Sequence, residues 1–159
     1  MYLLDANVLI EAKNRYYGFE LCPGFWDWLE RENAAGAVAS IERVYDELAG
    51  FGDQLEEWVR ARGAGFFLSP DERVVASLRS VTQWVMDAEY PQTAVSAFFD
   101  AADYYLVAHA HAHGMTVVTH ERPGATRTVK IPDACASLGV RFMDPFAMLR
   151  NEHARFALS

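Results

Sequence analysis

Short apolar segments alternate with longer helical ones along this chain of 159 residues. Four of the short segments are rich in β-branched, aromatic or other apolar residues, and we expect strands at 2–4, 66–68, 115–119 and 140–143. Parallel strands need long crossover connections, and these are usually helices. The alternation therefore predicts a single α/β domain over residues 1–159, with a short parallel sheet flanked by helices on both faces.

Caps and apolar spacing define the helical segments. Helices are predicted at 8–13, 25–32, 41–49, 53–62, 70–87 and 101–113, with two more beginning at 131 and 145. Ser40, Ser69 and Asp100 are the expected N-caps of the helices at 41–49, 70–87 and 101–113. A short polar side chain at such a position accepts a hydrogen bond from a free amide of the first helical turn.

The charge balance limits the function classes that the chain can serve. The formal net charge is −8 and the pI is about 5.0, whereas binding nucleic acid by charge alone needs a basic face. A metal-dependent nuclease stays open, because clustered carboxylates are neutralised by the cations that they bind. Hydrophobic residues make up 52% of the chain, which is enough to bury a sizeable core.

Cysteine usage and the apolar pattern bear on the compartment. Cys22 and Cys135 form neither a Cys-x-x-Cys pair nor a disulfide scaffold, so we expect reduced thiols and a cytoplasmic location. The first residues lack the basic region of a signal peptide. No apolar stretch approaches the roughly 20 residues that a membrane span needs, so no membrane partner is expected.

Four acids fall at comparable places in the predicted elements. Asp5 follows the first strand, Asp103 lies in the first turn of the helix at 101–113, and Glu121 follows the strand at 115–119. Glu47 lies at the edge of the apolar stripe of its helix, about 60° from Val44 at 100° per residue. Ligands of parallel sheets bind beyond the carboxyl ends of the strands, so these acids are expected to converge there.

Clustered carboxylates are suited to phosphodiester hydrolysis. The reaction requires neutralising the phosphate charge and generating hydroxide near neutral pH, and hard divalent cations held by carboxylates do both. Each acid also has a structural interpretation, because Asp and Glu are common at helix starts, where they cap the helix and complement its dipole. Asp5 fits that alternative least, since a carboxylate directly after a buried strand is costly unless it is paired or bound to metal.

The residues around these acids resemble the sequence motifs of PIN domains. The four matching segments, in chain order, are Leu3-Leu4-Asp5-Ala6-Asn7-Val8, Ser40-Ile41 to Tyr45-Asp46-Glu47-Leu48, Ala102-Asp103-Tyr104 to Ala110, and Val117-Val118-Thr119-His120-Glu121. Each motif is weak alone, but all four in order are fairly specific. The stretches at 23–29 (PGFWDWL) and 129–133 are also similar to a little-characterised branch of the family.

The resemblance implies an Mg²⁺- or Mn²⁺-dependent endoribonuclease of the VapC-like kind. Such an enzyme cuts single-stranded or structured RNA and is the toxin of a type II toxin–antitoxin pair, held in check by a cognate antitoxin. The acids that it would use for catalysis and metal binding are Asp5, Glu47, Asp103 and Glu121. The family more often has Asp at the fourth position, so the longer Glu121 is expected to reach the metal through water.

The resemblance also assigns supporting roles. Asn7 would orient Asp5, and Ser40 or Thr119 would support the site by hydrogen bonds.

The remaining predictions concern RNA and protein partners. Arg122, Arg127 and Lys130 cluster after the fourth motif and could meet RNA phosphates, although salt bridges to surface acids explain them equally well. The aromatic residues at 16–58 are expected to fill the core, and an exposed subset could bind the antitoxin or a second copy in a homodimer.

Three alternatives remain at this stage. His109 and His113 share a helical face and could form half of a zinc site. The alternative is a solvated helix surface, because no further ligands accompany them. Asp5 could be the nucleophile of a phosphatase or phosphotransferase, although such enzymes usually carry a second Asp where this chain has Asn7. A non-catalytic PIN-like module that only binds a partner is the third.

Overall fold

The computed structural model describes residues 1–158, and within them a five-stranded parallel sheet forms the centre of the molecule. The strands lie in the order β3-β2-β1-β4-β5. Their bounds are Tyr2–Leu4 (β1), Val38–Ile41 (β2), Phe67–Leu68 (β3), Thr116–Val118 (β4) and Phe142–Met143 (β5). All four strand pairs are parallel. The predicted α/β class and parallel sheet are confirmed.

The first strand lies in the middle of the sheet, as its composition demands. Leu3 and Leu4 are fully buried, and β1 pairs with β2 on one side and with β4 on the other. A strand covered on both faces must be apolar throughout, and this one is. The carboxyl end of β1 therefore opens between two neighbours, at the place where the strand order reverses.

Strand β2 is the one strand that the sequence analysis missed. Ser40 was expected to cap a helix over 41–49, and that expectation is wrong, because all four residues of β2 are buried and Ser40 itself is 0% exposed. The following helix begins at Glu42, after Ile41 in extended conformation. Ala39 and Ser40 weaken the strand signal of Val38 and Ile41, and burial between β1 and β3 decides the conformation instead.

Instead of capping a helix, Ser40 connects β2 to β1 by a side-chain hydrogen bond. The regular pairing of β1 with β2 runs only through Leu3 and Ala39. Beyond it, the Ser40 hydroxyl donates a hydrogen bond of 2.6 Å to the Leu4 carbonyl oxygen. This side-chain bond replaces a ladder bond at the last residue of β1 and so fixes the point from which Asp5 leaves the sheet.

Nine helices accompany the strands within residues 1–158. They are Ala6–Glu11 (α1), Pro23–Ala34 (α2), Glu42–Leu48 (α3), Gln54–Arg62 (α4), Glu72–Asp87 (α5), Gln92–Asp100 (α6), Ala102–His113 (α7), Ile131–Leu138 (α8) and Pro145–Asn151 (α9). A π-helical turn, Ala12–Tyr16, continues α1, and a 3₁₀ turn, Gly63–Gly65, follows α4. None of the nine is long and apolar enough to span a bilayer.

Two predicted caps differ from the observed ones. Asp71, not Ser69, caps α5, and its carboxylate accepts a hydrogen bond from the Val74 amide, while Ser69 donates to Glu42. Asp100 ends α6, a helix that the sequence analysis missed, and does not cap α7. Ala101 precedes α7 with no capping side chain of its own, which leaves the first amides of α7 free for another partner.

The aromatic residues near the N-terminal half mostly fill the core, as expected. Phe25, Trp26, Trp28 and Trp58 are each at most 9% exposed. Their rings pack edge to face, for example Trp26 against Trp58 at 5.0 Å between centroids. Tyr16 is the exception, with 46% of its surface exposed.

Replacing Ser40 with Ala is expected to destabilise the fold by about 1–3 kcal/mol, the usual effect of leaving a buried carbonyl without its donor. Chemical denaturation monitored by circular dichroism measures the change. Ser80→Ala, on the exposed face of α5, is the matched control and should leave stability within about 0.5 kcal/mol. Equal stabilities of the two variants would show that the Ser40 bond does not hold β1 to β2.

Candidate active site

The carboxyl ends of β1 and β4 form the crevice in which the candidate site lies. These strands are neighbours. From β1 the chain continues to β2 on one side of the sheet, and from β4 it continues to β5 on the other side. Ligands of open α/β sheets bind at such a switch point. Asp5 follows β1 and Thr119 follows β4, and the Asp5 amide donates to the Val118 carbonyl across the gap.

Asp5 is buried and held by one side-chain hydrogen bond. Its residue is 4% exposed, and the Thr119 hydroxyl donates to Asp5 Oδ2 at 3.0 Å. The Glu121 amide in turn donates to the Thr119 hydroxyl oxygen at 3.1 Å. Thr119 therefore links two of the predicted acids that are more than a hundred residues apart in sequence.

Electrostatics show that three of the predicted acids converge. Burial raises the pKa of Asp5 to about 8, and the charges of Asp103 and Glu121 add to the increase. Burial likewise raises the pKa of Asp103 to about 7, assisted by Glu121 and Glu47. Burial also raises the pKa of Glu121. Carboxylates that influence each other in this way occupy one pocket of low polarity.

The fourth acid, Glu47, reaches the same place from α3. Its Oε1 accepts a hydrogen bond of 3.1 Å from the Ala102 amide, the first of α7. Glu47 thus caps the helix whose first turn contains Asp103. The residue is more exposed than the other three acids, so it lies at the rim of the pocket. Glu47 can cap α7 and also belong to the site, because only one of its two carboxylate oxygens accepts the capping hydrogen bond.

Lys130 lies among the acids. Its Nζ is 3.9 Å from Glu121 Oε2, and its charge lowers the pKa of Asp103 against the larger effect of burial. This contact agrees with the alternative of a salt bridge to an acid, and a contact of Lys130 with RNA phosphates stays a prediction. Arg122 and Arg127 are exposed and remain free to meet phosphates as predicted.

The donor set suits a hard divalent cation in its chemistry. All four side chains offer carboxylate oxygens, and the Glu121 Oε2 atom is buried with no hydrogen-bond partner. Within residues 1–158, however, no three His, Cys, Asp or Glu side chains are arranged so that they could hold a metal ion. Ligation therefore requires the carboxylates to approach more closely, a movement that a bound cation favours because it cancels their repulsion.

The supporting residues fall into different positions. Thr119 bonds to Asp5 directly, and Ser40 fixes Leu4, the residue before it. Asn7 is exposed, and the hydrogen bond that orients Asp5 comes from Thr119. The role of Asn7 stays a prediction.

A cavity of about 900 Å³ opens beside Glu121, at the carboxyl ends of β4 and β5. This carboxyl-end cavity is lined by Tyr16, Thr119, His120, Glu121, Arg122 and Phe146, among others. Neither Tyr16 nor Phe146 was predicted from the sequence to lie near the acids. They come from the π-helical turn and from α9, and no local pattern reveals that folding brings them together.

The histidines of α7 do not form a zinc site. His113 Nε2 lies 2.8 Å from Asp71, and His111 shares a hydrogen bond of 2.8 Å with Ser77. His109 is 4% exposed, so the expected solvated surface is wrong for this residue. Its burial lowers the pKa of the imidazole, which keeps the ring neutral as part of the core.

Comparison with known proteins places the chain in a family and a fold. The family described as "Domain of unknown function (DUF4411)" matches residues 2–156. No curated protein matches the sequence. Among solved structures the chain is similar to FitAcB from Neisseria gonorrhoeae, with a TM-score of 0.54 and 21% identity, over 92% of this chain and 99% of that chain. This similarity concerns the fold, which is PIN-like, as predicted.

Asp5 makes stability depend on pH. A carboxyl group whose folded pKa is about 8, against an ordinary value of 3.8, keeps its proton when the unfolded chain has lost it. The free energy of unfolding measured without divalent cations should therefore fall as the pH rises from about 4 to about 8. Asp5→Asn should reduce this slope and stabilise the protein at pH 8 by at least about 1 kcal/mol, since one pKa unit is about 1.4 kcal/mol.

Denaturation at several pH values tests this dependence. Asp27→Asn, an exposed acid on α2, is the control and should retain the slope of the wild type. A slope that is identical in wild type and Asp5→Asn would show that the Asp5 carboxylate is not destabilised by burial.

Proposed function

We propose that this chain, which belongs to the DUF4411 family, is an Mg²⁺- or Mn²⁺-dependent endoribonuclease and the toxin of a type II toxin–antitoxin pair. The observation that carries the proposal is that buried Asp5 and partly buried Asp103 and Glu121 lie near enough to raise one another's pKa, beyond the carboxyl ends of β1 and β4 in a PIN-like sheet. Keeping three partly desolvated acids together is unfavourable, and a cation site explains why a fold would keep them there.

Asp5, Glu47, Asp103 and Glu121 are the residues that would hold the cation. When bound, a divalent ion supplies positive charge against the phosphodiester and makes water easier to deprotonate near neutral pH. Asp5 and Asp103, which lie deepest, are the expected direct ligands. Glu47 keeps one oxygen on the Ala102 amide and so has only the other oxygen to offer.

Other residues of the chain prepare these acids. Thr119 donates to Asp5 Oδ2 and thereby fixes the orientation of that carboxylate. Lys130 lowers the pKa of Asp103 and stands beside Glu121, so it favours the ionised carboxylates that ligation requires. Arg122 lines the carboxyl-end cavity, where its guanidinium can pair with an RNA phosphate next to the acids.

The toxin role and its partners rest on the motif resemblance, and the PIN-like fold supports them. A cognate antitoxin must cover the acids or the carboxyl-end cavity to inhibit cleavage. A homodimer remains a further prediction, which the mass in solution tests. Induced expression should arrest growth, and Asp103→Asn or co-expression of the antitoxin should relieve the arrest.

Phosphoryl transfer to Asp5 is less well supported than hydrolysis of RNA. A nucleophilic carboxylate must be reached in line by the phosphorus atom, but Asp5 is 4% exposed and already hydrogen-bonded to Thr119. An acid in that position serves better as a ligand than as an attacking group. Failure to trap a phosphorylated Asp5 would agree with this reading.

Asp103→Asn is expected to lower metal-dependent RNA cleavage by on the order of 100-fold or more, because loss of several kcal/mol of charge stabilisation translates into that factor. The measurement is cleavage of single-stranded RNA in Mg²⁺ or Mn²⁺. Asp100→Asn is the matched control, since this exposed acid ends α6 only three residues before Asp103.

Two results would contradict the proposal. Equal cleavage by wild type and Asp103→Asn would place the activity elsewhere or in a contaminant. No cleavage, together with no Mn²⁺ binding in calorimetry, would favour a non-catalytic PIN-like binding module.

A further inference from the structure

Three rings from separate parts of the chain form an aromatic cluster at the mouth of the carboxyl-end cavity. Tyr16 stacks on His120, with 5.7 Å between centroids and an interplanar angle of 26°. Phe146 meets Tyr16 edge to face at 5.0 Å and lies 5.8 Å from His120. Tyr16 remains 46% exposed despite these contacts, so part of its ring is available to a ligand.

The cluster and one of the candidate metal-binding acids, Glu121, line the same cavity. Tyr16, His120 and Phe146 line it together with Glu121 and with Thr119, the residue that donates a hydrogen bond to Asp5. A ligand that contacts the rings therefore lies beside Glu121 and one residue away from Asp5. Among the Phe, Trp and Tyr side chains of residues 1–158, only Tyr16 and Phe51 are exposed, and the others are buried or partly buried.

The chemistry of the lining fits a nucleobase. Aromatic faces bind flat heterocycles by stacking, and the polar groups of His120, Glu121 and Arg122 can pair with the edge of a base or with its phosphate. An aliphatic peptide segment would leave these polar groups unsatisfied. The proximity of acids that suit a cation places the adjoining phosphate where hydrolysis would occur.

We propose that Tyr16, supported by His120 and Phe146, is a stacking platform for one unpaired nucleobase next to the scissile phosphate. This inference rests on the proposed ribonuclease function and deepens it, because it names a residue that selects single-stranded RNA. A base inside a duplex is already stacked on its neighbours and cannot lie against Tyr16. Tyr16 is thus a positioning residue for substrate and takes no part in the bond-breaking step.

The test uses short single-stranded RNAs in which one 2-aminopurine is moved along the chain, since stacking quenches its fluorescence. Binding is followed with the Asp103→Asn protein, which keeps the RNA intact, and with the same protein carrying Tyr16→Ala. We expect quenching at one position, lost in Tyr16→Ala with affinity lower by on the order of tenfold, the scale of one base–aromatic stack. Tyr16→Phe keeps the ring and should restore the quenching.

Phe51→Ala is the control, because Phe51 is 56% exposed and does not line the cavity. In cleavage assays with Asp103 intact, Tyr16→Ala should raise KM more than it lowers kcat, and Phe51→Ala should change neither. Unchanged quenching and KM in Tyr16→Ala, alongside active wild type, would overturn the platform and leave the ribonuclease standing. Quenching that depends on Tyr16, in a protein that does not cleave RNA, would support the stacking platform and contradict the ribonuclease function. No RNA binding by any of the proteins would overturn the platform.

Discussion

A carboxylate that directly follows a buried strand needs a hydrogen-bond donor or a cation, and Asp5 has one side-chain donor and two acidic neighbours. The Thr119 hydroxyl satisfies one oxygen, whereas Asp103 and Glu121 increase the free-energy cost of ionising the group. The balance of these contacts is unfavourable near neutral pH without a positive charge. Every other part of the proposed function depends on that imbalance, because a bound cation would relieve it.

The strand order turns this local imbalance into a site. Because β1 lies between β2 and β4, its carboxyl end opens into the crevice where the sheet reverses direction. Helix α7 brings Asp103 to the crevice with its N-terminal turn, and Glu47 of α3 caps that turn. The carboxyl-end cavity then extends from Glu121 to Tyr16, so one of the four acids and the aromatic cluster lie on one continuous surface.

Much of this arrangement follows from local sequence, and the rest depends on contacts between distant segments. The apolar run before Asp5 predicted a buried strand, and the rule about carboxyl ends predicted that Asp5, Asp103 and Glu121 converge. Strand β2 was missed because Ser40 is equally suited to a cap, and only burial between two strands makes it extended. No spacing rule predicts the contact of Lys130 with Glu121 or the ring cluster around Tyr16, so the sequence could not reveal them.

A crystal structure of the protein soaked with Mn²⁺, with anomalous scattering recorded at the manganese edge, examines the buried carboxylates most directly. We expect an anomalous peak between Asp5 and Asp103, with their oxygens at about 2.0–2.2 Å from the ion, as hard cations of this size require. A peak only at the surface, or none while Asp5 keeps its single bond to Thr119, would contradict the cation site. The chain would then be a PIN-like domain whose acids serve its fold alone.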